Sequence, residues 1–246
     1  MNIIAAIQKN SRQAILRALS KGAVTPNGAL MAMAVASGSA NQDLTIRILK
    51  DFVERGADFS QTGRDGLGSM HQAAIKGRFD VIAYLQTLGA SLDARGKDGV
   101  TPLMAMAAAA APPETIKAFG KLLGVGLDSW DSRGRSAIHY CSDPRTAQAL
   151  AEAGACLDNT DKNGYTALML ALGQRRGEGE ALAKALVQLG AKAGIIGHDG
   201  RRAADIAHSS GLGVDFVDQL KAWAEREVIE LQTPAGLSTP QRCRFL

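Results

Sequence analysis

Five pairs of glycines, each pair ten residues apart, constrain this 246-residue chain more than any other feature. The first glycine of each pair ends an apolar run, and the second lies in a polar turn. The turn glycines follow one another at intervals of 33, 35, 30 and 36 residues, so the turn segment keeps its length while the rest varies. This recurrence predicts a chain of stacked, similar units. The pairs are Gly56 and Gly66, Gly89 and Gly99, Gly124 and Gly134, Gly154 and Gly164, and Gly190 and Gly200.

Between a turn and the next run-ending glycine, the apolar residues have helical spacing. Asp98 and Gly99 favour a tight turn, and Thr101 followed by Pro102 favours a helix start directly after it. Two short helices then follow in each unit, and neither can bury its apolar face without a neighbouring unit. In one unit the apolar residues are Met70, Ala73 and Ala74 on the first helix and Val81, Ile82 and Leu85 on the second.

The segment GSMHQAAIKGRFDVIAYLQTLGASLDARGKDG (residues 68–99), with TPLM, SAIH and TALM in the same position of later units, resembles the ankyrin-repeat family. The resemblance covers residues 1–224 and implies an all-α ankyrin-type solenoid of about six helix-turn-helix units with projecting β-hairpin turns. It also implies that His71 and His139 are buried and tie a turn to a helix. Residues 225–246 are expected to extend the last helix and to end in a flexible tail. We expect the closing helix to have an apolar stripe of Val214, Val217, Leu220 and Trp223.

Composition narrows the functional classes. The chain is 46% hydrophobic but only 4% aromatic, which predicts a core of small side chains. A net charge of +4 is modest for a dedicated nucleic-acid binder. No apolar run is long enough to span a membrane, and the N-terminus lacks the pattern of a secretory signal. We therefore expect a cytoplasmic protein, monomeric on its own, with delivery into a host cell as an alternative.

The sequence contains no enzyme motif such as G-x-S-x-G, H-E-x-x-H or a P-loop. We therefore predict no enzyme activity, no catalytic residue, no cofactor and no metal site. Cys243, fourth from the C-terminus, is the position that a lipidation motif would select, although coincidence is the preferred interpretation. Aspartates recur at the turns, and turn formation explains them better than calcium binding because a full unit separates each from the next. They are Asp65, Asp98, Asp131, Asp161 and Asp199.

Binding is the function that the turns favour. In ankyrin-repeat proteins the hairpin tips and first helices form a concave surface where partners dock, so the resemblance implies that partners bind there. Trp, Tyr and Arg are enriched at binding hot spots, and the middle turns contain all three. Whether Trp130 is an exposed anchor or lies along the next unit stays open. The predicted partner-binding residues are Trp130, Arg133, Arg135, Tyr165, Arg95, Lys97, Val100, Lys162, Arg64 and Leu67.

These features predict a non-catalytic protein–protein interaction module, a scaffold that presents a rigid, mildly basic concave face to a protein with an acidic surface. One alternative is a secreted bacterial effector or inhibitor whose repeats target a host or cellular protein. A second alternative is nucleic-acid binding through the basic row of turns, which the modest net charge makes less favoured.

Overall fold

The structure is a computed structural model that describes residues 3–9, 11–20, 34–35, 42–59, 62–63, 65–174 and 179–232. In these residues it contains twelve α-helices, three short 3-10 turns and no strand apart from one isolated bridge between Thr160 and Thr166. The all-α prediction is therefore confirmed. The helices are α1 Ile3–Gln8, α2 Arg12–Ser20, α3 Gln42–Val53, α4 Ser69–Ile75, α5 Phe79–Thr87, α6 Pro102–Ala108, α7 Pro113–Leu123, α8 Pro144–Ala153, α9 Ala167–Leu172, α10 Glu180–Gln188, α11 Ala203–Ser209 and α12 Val214–Gln232.

The ten paired glycines have the backbone conformation that the sequence predicts. All ten have positive φ angles, from +65° to +97°, in the region that side-chain-bearing residues rarely adopt. Gly154 shows why this matters: with φ +97° it ends α8, and its N–H donates to carbonyls of the last helical turn. The glycines therefore set where each helix stops and where each turn reverses the chain.

Two compact units make up the chain, Met1–Met106 and Ala107–Leu246. In the first unit, α4 packs against α5 and α3 packs against both α2 and α5. A salt bridge of 2.7 Å between Arg12 Nε and Asp51 Oδ2 joins α2 to α3. Two successive turns of this unit are joined by a backbone hydrogen bond of 2.8 Å from Lys97 N to Gly66 O. The unit is thus a stack in which both helices and turns meet their neighbours.

The second unit repeats this arrangement. Helix α7 packs against α8, α9 against α10, α11 against α12, and α8 also packs against α10. Each helix contributes apolar side chains that are almost fully buried, and small residues fill the spaces between them. The large buried residues of this core include Phe119, Leu150, Leu168, Leu186 and Leu220.

One repeat departs from the two-helix pattern. Where the neighbouring repeats have an α-helix after the turn, residues Ala137–Tyr140 form only a single 3-10 turn. The cause lies just downstream, because Pro144 restricts the preceding Asp143 to an extended conformation, with φ −141° and ψ 155°. A longer first helix therefore has no room before α8 begins.

The closing helix α12 also differs in detail from the sequence prediction. Phe216, Val217 and Leu220 are buried, whereas Val214 is 69% exposed, so the expected stripe was wrong at its first position. Phe216 instead makes an edge-on ring contact with Trp223, with the ring centroids 6.5 Å apart. Further along α12, Glu227 accepts hydrogen bonds of 2.8 and 2.9 Å from the backbone N–H groups of residues 193 and 194. Among the described helices, none combines the length and apolar character needed to cross a membrane.

Candidate binding face on the stacked turns

Buried aspartates hold the turns of the second unit in shape. Asp131 is only 3% exposed, and its Oδ1 accepts hydrogen bonds of 2.8 Å from the N–H groups of Arg133 and Arg135. Its other oxygen accepts a hydrogen bond of 2.6 Å from the Tyr140 hydroxyl. Burial, followed by the bond and the charge of Asp131, raises the pKa of Tyr140 to about 12. The carboxylate thus organises the turn from within.

Asp161 plays the same part in the next turn. Its Oδ1 accepts hydrogen bonds of 2.8 Å from Asn163 N and 3.0 Å from Tyr165 N. Its Oδ2 lies 3.6 Å from the guanidinium Nε of Arg135, which reaches over from the preceding turn. Asp161 is 1% exposed, so both oxygens are committed inside the protein. Turn formation therefore accounts for these carboxylates, and the described residues contain no group of side chains arranged to hold a metal ion.

The turns of the second unit form a continuous surface, which we call the turn ledge (residues 130–135, 160–165 and 196–201). Lys162 N donates a hydrogen bond of 2.9 Å to Arg133 O, and His198 N donates one of 2.9 Å to Asn163 O. Each turn is therefore fastened to the next through its backbone. This rigidity means that side chains on the ledge are presented without much loss of conformational entropy on binding.

The ledge brings together the predicted residues of this unit, but they are not equally available. Arg133 and Lys162 are exposed, and Trp130 is 42% exposed. Arg135 is partly covered and its Nε lies close to Asp161 Oδ2, so the buried carboxylate offsets part of its charge. Tyr165 donates its hydroxyl to Asp199 Oδ2, and this hydrogen bond is the main reason that the pKa of Tyr165 is raised. The pairing of Tyr165 with Asp199 was not predicted from the sequence because the two lie 34 residues apart.

In the first unit, the predicted residues contribute in different ways. Arg95 and Lys97 are exposed, and Arg95 also bonds to Asp93 Oδ2 at 3.2 Å. Val100 contributes its backbone carbonyl and Leu67 its backbone N–H, which donates to Asp65 at 3.0 Å. These two positions therefore support the turns through the main chain. Arg64 and the lipidation candidate Cys243 lie outside the described residues.

Two buried histidines link turns to helices, as the resemblance implied. His71 Nε2 lies 2.9 Å from Val100 O, and His139 Nε2 lies 3.2 Å from Tyr165 O. In both cases the other ring nitrogen accepts a backbone N–H three residues earlier in the chain. Desolvation lowers the pKa of both imidazoles, and the hydrogen bonds to the backbone carbonyls only partly oppose this effect. The rings are therefore held neutral and in one orientation.

Two potential nucleophiles of the second unit, Ser136 and Cys141, are structurally committed. Ser136 Oγ lies 3.2 Å from His139 Nδ1, but both residues are buried and the ring nitrogen also accepts the Ser136 N–H. Burial raises the pKa of the Cys141 thiol to about 12, so this cysteine stays protonated at neutral pH. Neither group has the exposure or the activation that attack on a substrate requires.

Comparison with known proteins adds information that the geometry does not contain. No protein-family model matches the chain. The chain is similar to an L-asparaginase of Dirofilaria immitis, with 30% identity over 137 residues. The matched segment amounts to 53% of this chain but only 22% of that protein, so the chain spans less than a quarter of its curated relative.

This similarity overturns two predictions from the sequence. The absence of catalytic motifs led us to predict a non-catalytic interaction module and to exclude an enzyme, whereas the relative is an enzyme by name. The exclusion was wrong in its logic, because a missing short motif rules out only those enzyme classes whose reacting groups lie on such a motif. Function depends on a site built on the fold, and many catalytic sites have no local signature.

Proposed function

We propose that this chain is part of an enzyme that hydrolyses an amide, of the L-asparaginase kind. The observation that carries this proposal is the 30% identity with an L-asparaginase over 137 residues. Those residues are only 22% of the relative, so we assign the chain to such an enzyme without assigning a reacting group to any of its residues.

Within this enzyme, the described helices are proposed to form an ankyrin-type solenoid. Three features support this architecture. The ten paired glycines have positive φ, successive turns share backbone hydrogen bonds, and two buried imidazoles link a helix start to the following turn. Stacked repeats of this kind give a rigid surface, because each repeat is held by its neighbours.

A cytoplasmic location stays a prediction.

The turn ledge is the proposed contact surface for a second protein with acidic character. The carboxylates of Asp131 and Asp161 point inward and are almost fully buried, whereas Arg133 and Lys162 are exposed. Trp130, at 42% exposure, adds apolar area beside these cations. Positive groups steer an acidic partner and set its register, while a partly exposed aromatic ring contributes area that becomes desolvated on binding.

The experiment that tests the proposal joins a binding step to an activity readout. The purified chain is immobilised and exposed to lysate of its source cell, and both the chain and the captured fraction are assayed for ammonia release from L-asparagine. We expect asparagine hydrolysis in at least one of them, above that of an empty matrix. Absence of hydrolysis in both would contradict membership of the enzyme.

A pair of charge-matched variants tests the ledge. Arg133→Glu with Lys162→Glu reverses the exposed cations of the ledge, whereas Lys121→Glu with Arg145→Glu makes the same change at exposed helix positions. We expect the first variant to capture about ten-fold less asparagine-hydrolysing activity than the wild type and the second to capture as much as the wild type. Both variants should have the same helicity. Equal retention by both variants would move the contact surface away from the ledge and leave the enzymatic proposal intact.

A further inference from the structure

Four repeats begin their first helix with a four-residue segment, which is GSMH (68–71), TPLM (101–104), SAIH (136–139) or TALM (166–169). The last residue of this helix-start segment has a recurring structural position. In the first unit, His71 occupies this position, and its Nδ1 accepts a hydrogen bond of 3.2 Å from Gly68 N. An acceptor nitrogen carries no proton, so the ring proton is on Nε2, which donates to Val100 O at 2.9 Å. One neutral ring therefore joins its own helix start to the turn that follows.

His139 repeats the arrangement in the second unit. Its Nδ1 accepts a hydrogen bond of 3.1 Å from Ser136 N, and its Nε2 donates to Tyr165 O at 3.2 Å. Tyr165 belongs to the turn ledge, so this ring supports one of its three turns directly. With 9% exposure for His139 and 1% for His71, neither ring is able to turn into solvent without local opening.

The equivalent position in two other helix-turn-helix repeats holds methionine. Met104 Sδ accepts a weak hydrogen bond of 3.4 Å from Thr101 N, so the thioether takes the acceptor role of Nδ1. Met169 occupies the same position after Thr166, whose hydroxyl caps the helix at 3.3 Å. A thioether does not titrate in water, so these repeats fill the position without a group that responds to pH.

We propose that His71 and His139 are acid-sensitive joints, at which protonation of the buried ring loosens the turn that follows it. Protonation places a hydrogen on Nδ1, where it faces the backbone N–H that the neutral ring accepts. That hydrogen bond is lost, two donors oppose each other, and a charge is created in a buried position. The local structure must open to hydrate the ring, and in the second unit this opening frees a part of the turn ledge.

The charged groups around each ring modify this response without reversing it. Asp65 favours protonation of His71, while for His139 the carboxylate of Asp161 favours it and the guanidinium of Arg135 opposes it. Burial dominates in both cases and holds the pKa of each imidazole below its ordinary value. A lowered folded-state pKa means that the unfolded chain takes up protons first. Stability is therefore complete above a pH of about 6.5 and falls as the pH drops below it.

The matched test replaces each histidine by the residue that the chain itself uses in this position. Wild type and the double variant His71→Met, His139→Met are compared at about pH 7.5 and about pH 5, a range in which an ordinary histidine gains its charge. Hydrogen exchange is followed for residues 96–101 and 161–166, the turns that accept the ring bonds, with correction for the intrinsic effect of pH. Residues 167–172, which contain Met169 at the methionine position, serve as the internal reference.

We expect acid to speed corrected exchange of the two turns roughly ten-fold or more in wild type, to leave the reference segment unchanged, and to have no such effect in the double variant. Equal acceleration in wild type and variant would overturn the proposal. A direct reading guards against a variant that does not fold: ring-nitrogen NMR spectra of the wild type show whether both buried rings keep the Nε2–H tautomer and titrate below the ordinary histidine value of about 6.5. If they instead titrate at that ordinary value and without opening of the turns, the proposal is wrong. It does not depend on the enzymatic assignment, because no substrate enters the test.

Discussion

Gly96 is a glycine whose importance comes from space and not from its backbone angles. Its φ of −84° suits any residue. A Cβ at this position, however, would lie 2.6 Å from Gly66 O and 3.1 Å from His71 Nε2, and Cβ atoms essentially never come within 3.0 Å of a backbone atom. Gly96→Ala must therefore push the two turns of the first unit apart.

The size of the effect follows from the bonds that such a shift breaks. Separation of the turns removes the 2.8 Å hydrogen bond from Lys97 N to Gly66 O and the 2.9 Å bond from His71 Nε2 to Val100 O. Two hydrogen bonds at about 1 kcal/mol each are lost. The alanine also restricts the unfolded chain, which offsets about 0.4–1 kcal/mol of this loss. We expect Gly96→Ala to lower the free energy of unfolding by about 1–2 kcal/mol.

Gly89→Ala is the matched control for this prediction. Gly89 has φ +86°, and a Cβ at this position would meet no atom within 4 Å. Gly89→Ala therefore destabilises the fold only by holding alanine in the left-handed conformation, which costs about 1–2 kcal/mol before the effect on the unfolded chain is included. Urea unfolding followed by circular dichroism gives both free energies, and hydrogen exchange locates them. We expect faster exchange of the Lys97 amide in Gly96→Ala but not in Gly89→Ala. Wild-type stability of Gly96→Ala, or unchanged exchange at Lys97, would refute the reasoning.

Three further substitutions test other parts of the second unit, each measured by urea unfolding. Asp143→Ala removes the cap of α8, which accepts two backbone N–H groups and the Thr146 hydroxyl, and should cost about 0.5–2 kcal/mol at neutral pH. Burial alone would raise the pKa of Asp143, but the hydrogen bonds from Thr146 and the backbone outweigh it, so the pKa is lowered. The stability loss of Asp143→Ala should therefore shrink as the pH falls into the acid range. A loss that stays constant with pH would contradict a lowered pKa of Asp143. Tyr140→Phe leaves Asp131 Oδ2 without its 2.6 Å donor and should cost about 1–3 kcal/mol, whereas no loss would show that water replaces the hydroxyl. Leu150→Ala empties a fully buried position and should cost about 2–5 kcal/mol; a loss below about 1 kcal/mol would indicate collapse of the surrounding helices.

The sequence was informative where one residue type meets a local demand. A glycine spaced ten residues from its partner indicates a helix end and a turn, because both need positive φ, and the structure has positive φ at all ten positions. The glycine pattern depends on local backbone geometry, which a repeated pattern preserves. The burial of His71 and His139 was implied by the family resemblance, and both rings are buried in the structure with a bond to the following turn.

The sequence was less informative where the outcome depends on contacts between neighbouring repeats of the same unit. Tyr165 and Asp199 pair across 34 residues, and Arg135 reaches Asp161 across a turn boundary, so the binding patch predicted from single turns is less cationic than expected. Val214 was placed on the wrong face of α12 because helical spacing alone does not fix which residue meets the preceding helix. The exclusion of an enzyme failed for a different reason, since an absent motif is weak evidence of an absent activity.

The inward-facing aspartates have a consequence for protein engineering. Because Asp131 and Asp161 fix their turns through backbone N–H groups, the shape of each loop does not depend on the side chains at its outermost positions. Ser132, Lys162 and Asn163 are exposed there. A combinatorial library with these three positions randomised should therefore keep one backbone while it samples many recognition surfaces, which makes the second unit a natural framework for selecting new binders.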